Sequence, residues 1–215
     1  MNKNVSIAIT AALVMNGGIV NAQEATNIGK HNITLSKDVM TPETLWAMGR
    51  IGSAQASPDG NKIVYQVGYY SVKENRGHQV IYVMDSDGQN VRQLTTSAKS
   101  EGSPVWLDNH TIAFLLDGQI WSMNSDGTNR KKLSSSDIEI EGFRFSPDGK
   151  KVLLIKSIPY YGTIKKNPSD LPKASGRLIT DMNYRHWDHY VETIAHPFVA
   201  EVTANGISKN DVDII

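Results

Sequence analysis

The sequence predicts an all-β fold, an incomplete β-propeller of about two to three blades with a short N-terminal helix. Two repeats carry this prediction. The turn-and-strand unit Ser57–Tyr65 (SPDGNKIVY) returns as Ser146–Leu154 (SPDGKKVLL), and Tyr82–Thr95 aligns without gaps on Trp121–Ser134. The second repeat recurs after 39 residues, and a period near 40 residues with several short strands per unit is the spacing of propeller blades. Closed propellers have about four to eight blades, so the count predicts a partial ring.

The first 22 residues have the pattern of a signal peptide. Lys3 supplies a positive start, Val5–Met15 an apolar run, and Val20–Ala22 small residues for cleavage before Gln23. That run is about half of the ~20 residues that a membrane-spanning helix needs. We therefore expect an exported, periplasmic protein with no membrane anchor. The alternative, a buried N-terminal helix, is disfavoured by Gly17-Gly18.

A short helix is predicted in the leader, residues 23–52. Thr41 is a suitable N-cap, Pro42 suits the first helical position, and Glu43 adds an acidic residue to the first turn. The partial propeller then occupies residues 53–215, with blades beginning near Ser53, Glu101 and Gly142. We expect the third blade to reach only about its second strand by Ile215.

Each blade is predicted from turns that separate β-rich runs. Ser57–Gly60 fits a type I turn, and Asp117-Gly118 fits a two-residue type I′ hairpin. The strands predicted in the first blade are Ile63–Val67, Val80–Met84 and Val91–Thr95. A worn copy of the first turn lies at Trp106–His110, and a weak third copy of the strand-and-turn element lies at Phe198–Gly206.

A long insertion, residues 157–195, replaces the short hairpin in the third blade. Insertions of this size inside a compact β unit are usually functional or mobile. We expect its polar-aromatic cluster to bind substrate: Arg185 holding a carboxylate or carbonyl, Asp188 or Glu192 an amine, and Trp187 forming an apolar wall. In the alternative, Arg185 and Asp188 pair with each other while the aromatic rings pack on the blade.

Composition and motifs exclude several kinds of chemistry. The 22 basic and 22 acidic residues cancel, so no nucleic-acid partner is indicated, and the absence of cysteine excludes disulfides and thiolate metal sites. No Gly-x-Ser-x-Gly elbow or phosphate-binding loop occurs; Gly206–Asn210 lacks the closing glycine. His186-x-Asp188-His189 matches no metal pattern. We therefore expect no cofactor, no metal and no catalytic residue within this chain.

Two motifs in the insertion are more specific than the turns. Asp170–Arg177 (DLPKASGR) followed by Tyr184–Asp188 (YRHWD) resembles the N-terminal half of exported bacterial serine peptidases of the prolyl oligopeptidase family, in the dipeptidyl peptidase and acylaminoacyl peptidase branches. The resemblance covers Val39–Ile215. It implies a propeller joined to a C-terminal α/β-hydrolase domain that carries the Ser, Asp and His residues. It also implies that the propeller covers the active site and admits only short peptides.

Two functions follow as hypotheses. In the first, the chain is the gating and substrate-positioning portion of an exported serine exopeptidase, and meets short peptides through a hydrolase domain that lies outside these residues. In the second, it is part of a non-catalytic, TolB-type periplasmic propeller that binds protein partners. The motifs of the insertion favour the first. Cleavage specificity and oligomeric state stay open at this point.

Overall fold

The structure, a computed structural model, describes residues 28–33, 39–159, 164–165, 178–179 and 193–215. Within these ranges one helix and fifteen strands are formed, and all fifteen strands pair in antiparallel sheets. Their bounds are α1 Pro42–Ala47, β1 Arg50–Ala56, β2 Lys62–Ser71, β3 Arg76–Asp85, β4 Arg92–Gln93, β5 Glu101–Trp106, β6 Thr111–Leu116, β7 Gln119–Asn124, β8 Lys131–Lys132, β9 Ile140–Phe145, β10 Lys151–Pro159, β11 Ile164–Lys165, β12 Leu178–Ile179, β13 Thr193–Thr203, β14 Gly206–Ile207 and β15 Val212–Asp213.

The strands form three successive blades, which confirms the predicted all-β propeller architecture. Blade 1 is β1-β2-β3-β4 and blade 2 is β5-β6-β7-β8, each in chain order. Blade 3 is β9-β10-β13, and β14 and β15 both pair with β13. A separate pair of short antiparallel strands, β11-β12, lies between β10 and β13 along the chain.

The third blade is more complete than the sequence predicts. The outer strand pairs Gln93 with Tyr82 in blade 1 and Lys132 with Trp121 in blade 2. In blade 3, Asp213 of β15 pairs with Phe198 in the corresponding way. The expectation that this blade reaches only its second strand is therefore wrong. The additional strand β14 lies between β13 and the outer strand β15 in the sequence, so β15 does not occur at the spacing that the repeat predicts.

The Ser-Pro-Asp-Gly turns use their serine and aspartate to build the turn. The Ser57 carbonyl accepts a hydrogen bond from the Gly60 N–H at 2.8 Å, as a type I turn requires. The Ser57 hydroxyl donates to Asp59 at 2.6 Å and accepts from the Lys62 N–H at 2.9 Å. The same bonds recur at Ser146, Asp148, Gly149 and Lys151. Both side chains are thus committed to structure rather than to chemistry.

The serine hydroxyls also affect the acidity of these aspartates. A hydrogen bond from Ser57, supported by Asn61, holds the pKa of Asp59 below its ordinary value. Ser146, with the Lys150 N–H, has the same effect on the pKa of Asp148. Each hydrogen bond favours the carboxylate over the protonated acid. The charged form of both residues is therefore part of the folded turn.

The predicted helix and the predicted type I′ hairpin are confirmed. The Thr41 hydroxyl accepts a hydrogen bond from the Thr44 N–H at 3.2 Å and caps α1, and Pro42 occupies its first turn. Asp117 and Gly118 have φ values of 50° and 63°. Positive φ at both central residues defines the type I′ hairpin between β6 and β7.

Two apolar clusters hold neighbouring blades together. Between blades 1 and 2 the buried residues are Val64, Ile81, Val83, Leu94, Trp106, Ile112, Phe114 and Met123. Between blades 2 and 3 they are Ala113, Ile120, Ile140, Val152, Leu154 and Ala200. The backbone N–H of Trp106 donates to the Gln55 side chain at 2.8 Å, and its indole N–H donates to the Gln55 carbonyl at 3.1 Å. The first interface therefore combines apolar burial with specific hydrogen bonds.

A third cluster attaches the segment 28–33 to blade 1. Ile28 is 4% exposed and packs with Val67, Tyr69 and Val80. The buried ring of His78 lies 2.6 Å from the Ile28 carbonyl through Nδ1, and 2.9 Å from the Ser97 carbonyl through Nε2. One side chain thereby joins the leader, β3 and the connection to blade 2. Among the described residues, no helix is long and apolar enough to span a bilayer.

Candidate functional site

The site residues predicted from the sequence, Arg185, Trp187, Asp188 and Glu192, lie outside the described residues. The signal peptide predicted at residues 1–22 lies outside them as well. The structure does describe the two strands that carry the insertion. The candidate site is therefore built from its base, where the insertion leaves the blade and returns to it.

Strands β10 and β13 form a long stem beneath the insertion. Their ladder runs without a register shift from Lys151, opposite Glu201, to Pro159, opposite Thr193. Ser157 pairs with Ala195 inside this ladder, so the paired strands continue beyond the point where the sequence suggests that the insertion begins. The insertion, residues 160–192, therefore begins and ends at two paired positions, Pro159 and Thr193.

Two side-chain contacts with carboxylates lie on this stem. Lys156 of β10 is 5% exposed, and its ammonium lies 2.6 Å from an Asp211 carboxylate oxygen and 3.9 Å from the centre of the Phe198 ring. His196, opposite Lys156 on β13, lies 2.8 Å from Asp213 through Nδ1. Both carboxylates belong to the outer-strand segment, so these contacts fix that segment to the blade.

The Lys156–Asp211 and His196–Asp213 contacts stabilise the fold and do not form a reactive group. The ammonium of Lys156 is committed to a carboxylate and to an aromatic face, which leaves it unsuited to attack a carbonyl. The pKa of Asp213 is held below its ordinary value, first by the Ile215 N–H and then by His196. Sequence reasoning missed this cluster. The signal for it was Lys156 itself, a cation that follows the apolar run Val152–Ile155 in the middle of the strand.

A cavity of about 380 Å³ lies at the tip of the β2–β3 hairpin. It is lined by Trp46, Tyr70, Ser71, Val72, Asn75, Arg76 and Gly77. The Arg50 guanidinium lies beside it, 5.1 Å from the centre of the Trp46 ring and 4.4 Å from that of Tyr70. These cation–π contacts tie α1 to the start of β1 and the end of β2.

This cavity lies at the same end of its blade as the insertion does in blade 3. In each blade the second and third strands join at one end, through Ser71–Arg76 in blade 1 and residues 160–192 in blade 3. The Ser-Pro-Asp-Gly turns join the first and second strands at the opposite end. Helix α1 also enters at the insertion end, because Arg50 pairs with Gly68 near the end of β2. The cavity and helix α1 in blade 1 and the insertion in blade 3 thus lie at the same end of their blades.

Blade 2 contains a further charged contact. Glu101 is fully buried and accepts a hydrogen bond from Arg130, whose guanidinium also lies 5.1 Å from the centre of the Phe114 ring. The second carboxylate oxygen of Glu101 has no hydrogen-bond partner within the described part of the chain. In the described ranges no cluster of three or more His, Asp or Glu side chains is arranged to hold a metal ion.

Comparison of the sequence with known proteins gives two strong relatives. The chain is 37% identical, over its whole length, to dipeptidyl-peptidase 5 of Porphyromonas gingivalis. Over 82% of its length it is 36% identical to dipeptidyl-peptidase 5 of Porphyromonas endodontalis. These matches confirm the predicted resemblance to the N-terminal propeller part of a peptidase of the prolyl oligopeptidase family. No family model matches the chain.

Both relatives are much longer than the chain itself. It spans 31% of the Porphyromonas gingivalis protein and 26% of the Porphyromonas endodontalis protein. Among solved structures it is similar to the acylaminoacyl peptidase of Pyrococcus horikoshii, with a TM-score of 0.56 at 13% identity. That match covers 79% of this chain and 26% of the peptidase. At this identity the likeness establishes the shared propeller fold.

Proposed function

We propose that the chain is the propeller portion of an exported dipeptidyl peptidase, in which it gates the active site and positions short peptides. The observation that carries this proposal is the 37% identity to a dipeptidyl-peptidase 5 along the entire chain. The relative is more than three times as long, which leaves ample length for a separate catalytic domain. The chemistry of cleavage would reside there, because the sequence of this chain contains no serine elbow.

The stem of blade 3 supports a positioning role for the insertion. Both ends of residues 160–192 are held by a nine-residue strand, β10, paired along its full length with β13. This pairing fixes the points where the insertion leaves the blade and returns to it, and Asp188 and Glu192 lie within five residues of the return at Thr193. In this proposal Asp188 and Glu192 bind the free amino group of the peptide, Arg185 binds a carbonyl or carboxylate, and Trp187 forms an apolar wall.

The positioning role can be tested with the complete reading frame of the gene. We would measure hydrolysis of dipeptidyl-naphthylamides with a free or an acetylated N-terminus. Asp188→Asn and Glu192→Gln should raise KM for the free substrate at least about tenfold, since each removes a charged contact. The discrimination against the acetylated substrate should shrink in parallel. Asp87→Asn, an exposed turn residue at the opposite end of blade 1, is the matched control.

Two results would contradict the positioning role. One is an unchanged KM in both insertion variants. The other is an equal rise in KM for the free and the acetylated substrates, because a contact with the amino group acts only on the free one. Export is tested separately by N-terminal sequencing of the secreted protein. It should begin at Gln23, and a protein that retains Met1 would contradict the proposed signal peptide.

A further inference from the structure

The ring of His78 on β3 is buried, and both of its nitrogens face hydrogen-bond acceptors. The residue is 1% exposed. Nδ1 lies 2.6 Å from the Ile28 carbonyl oxygen, and Nε2 lies 2.9 Å from the Ser97 carbonyl oxygen and 3.2 Å from that of Lys99. Backbone carbonyls accept hydrogen bonds and donate none. Each ring nitrogen therefore needs a proton of its own.

A neutral imidazole does not satisfy both sides of this site. It has one N–H and one nitrogen lone pair, so one ring nitrogen would present its lone pair to a carbonyl oxygen at 2.9 Å or less. Two acceptors at that distance repel each other, and a buried polar group without a hydrogen bond is costly. The imidazolium, which has two N–H donors, is the form that fits these contacts.

The segment 28–33 is the partner of His78 that is free to move away. The connection between blades 1 and 2 is held by further bonds, because the hydroxyls of Thr95 and Ser100 accept hydrogen bonds from backbone N–H groups of β3 at 2.9 and 3.1 Å. The segment rests on the burial of Ile28 and on a contact of the exposed His31 with a backbone carbonyl of β2. When His78 loses a proton, the weaker attachment gives way.

We propose that His78 is a pH-sensitive switch that holds the segment 28–33 on blade 1 when protonated and releases it when neutral. The closed form binds one more proton than the open form, so a rise in pH favours opening and a fall in pH favours closing. Histidine is the side chain whose charge changes between about pH 5 and 8. Opening uncovers Val67 and Val80, which Ile28 covers in the closed form.

Other ionisable side chains lie close in register or in sequence to the groups that contact the ring. They are Tyr69 of β2, Arg76 of β3, Lys30 and His31 of the segment, and Lys99 and Glu101 at the end of the connection. Burial raises the pKa of Tyr69, so this residue stays neutral. Lys99 pairs with Asp117, and Glu101 pairs with Arg130. Lysine and arginine keep their charge over the range in which histidine titrates.

His31 is the one of these groups that also titrates in this range, and its geometry differs from that of His78. It is exposed, and Nε2 lies 3.0 Å from the Tyr70 carbonyl oxygen. A neutral ring with its proton on Nε2 keeps that hydrogen bond. Loss of a proton from His31 therefore does not release the segment, which makes this residue a matched control.

The test uses the product of the complete reading frame with its isoleucine δ1 methyl groups labelled with ¹³C. The Ile28 methyl signal, assigned with Ile28→Val, reports whether the segment is packed on blade 1. From about pH 5 to pH 9 the ratio of open to closed segment should rise, by up to about tenfold per pH unit. His78→Gln, whose side chain does not titrate, should abolish this dependence. His31→Gln removes a histidine from the same segment and should leave the dependence unchanged.

An Ile28 signal that is the same from about pH 5 to pH 9 would overturn the proposal. A pH dependence that survives in His78→Gln, or that disappears in His31→Gln, would overturn it as well. The Ile28 measurement is made on the unaltered protein, so the proposal is tested even if His78→Gln does not fold. In that case ¹⁵N spectra of the histidine rings decide, because a neutral His78 in the closed form would contradict the switch.

Discussion

Trp106 should be the side chain on which the packing of blade 1 against blade 2 depends most. It is 7% exposed and lies in the apolar cluster between these blades. Its indole N–H donates to the Gln55 carbonyl, and the backbone N–H of Trp106 donates to the Gln55 side chain. Trp106→Phe keeps an aromatic ring but removes the indole N–H, so we expect a loss of about 1 kcal/mol in the free energy of unfolding. Trp106→Ala also leaves a cavity and should cost about 3–5 kcal/mol.

Thermal and urea unfolding measure these losses. For a domain of this size 1 kcal/mol corresponds to roughly 2–4 °C in Tm. Trp106→Phe should therefore lower Tm by about that much, and Trp106→Ala by roughly 6–20 °C. Gln55→Ala removes the acceptor of the Trp106 backbone N–H and should cost about 1–2 kcal/mol. Its effect comes from the backbone donor, so it should persist when combined with Trp106→Phe.

The neighbouring Leu107 supplies the control for this series. It is 36% exposed in the adjoining turn, so Leu107→Ala should change the unfolding free energy by no more than about 0.5 kcal/mol. If Trp106→Ala were tolerated as well as Leu107→Ala, the interface between blades 1 and 2 could not have the packing described above.

Three further perturbations test other parts of the fold. The pKa values of Asp59 and Asp148 lie below the ordinary value of 3.8 in the folded chain, so their stabilising contribution is present above that pH and is lost as pH falls through the lowered pKa. The loss of Tm caused by the double substitution Ser57→Ala and Ser146→Ala should therefore become smaller below about pH 4. A loss of Tm that does not change with pH would contradict this. Gly118→Ala should lower the free energy of unfolding in urea by more than about 1 kcal/mol, because φ at this position is 63° and an added Cβ would lie 2.7 Å from the Glu139 side chain. An unchanged free energy of unfolding would refute the type I′ hairpin. Asp211→Asn leaves the buried Lys156 ammonium without its counter-charge and should lower the free energy of unfolding by about 3–5 kcal/mol, measured by thermal melting. Asp87→Asn, in an exposed turn, is the control, and an equally small effect of both substitutions would show that the Lys156–Asp211 pair contributes little to stability.

The propeller architecture could be predicted from the sequence because the repeated turns depend on residues that are neighbours in the sequence. The Ser-Pro-Asp-Gly and Asp-Gly turns require particular residues for their φ values and hydrogen bonds, so they mark blade corners wherever they recur. Helix α1 was predictable for the same reason, since Thr41 and Pro42 act within one turn of the chain. Such signals depend on neighbours in sequence and need no knowledge of the tertiary structure.

The features that escaped prediction depend on partners far apart in sequence. The fourth strand of blade 3 is displaced by the β14 hairpin, whose Ile207 N–H donates to the Leu133 carbonyl of blade 2 at 2.7 Å. The Lys156–Asp211 pair joins residues 55 positions apart. No periodicity connects such residues. The substrate-binding roles of Arg185, Trp187, Asp188 and Glu192 rest on residue type and on the family resemblance, and they stay predictions.

The central proposal is that this chain positions peptides for a catalytic domain that it does not itself contain. The most direct test measures dipeptidyl-naphthylamide hydrolysis by the purified 215-residue chain beside the product of the complete reading frame. The longer protein should turn the substrate over and be blocked by a serine-directed reagent, while the chain alone should show no turnover. Hydrolysis by the 215-residue chain that the same reagent abolishes would contradict the proposal, as would a complete product with no peptidase activity.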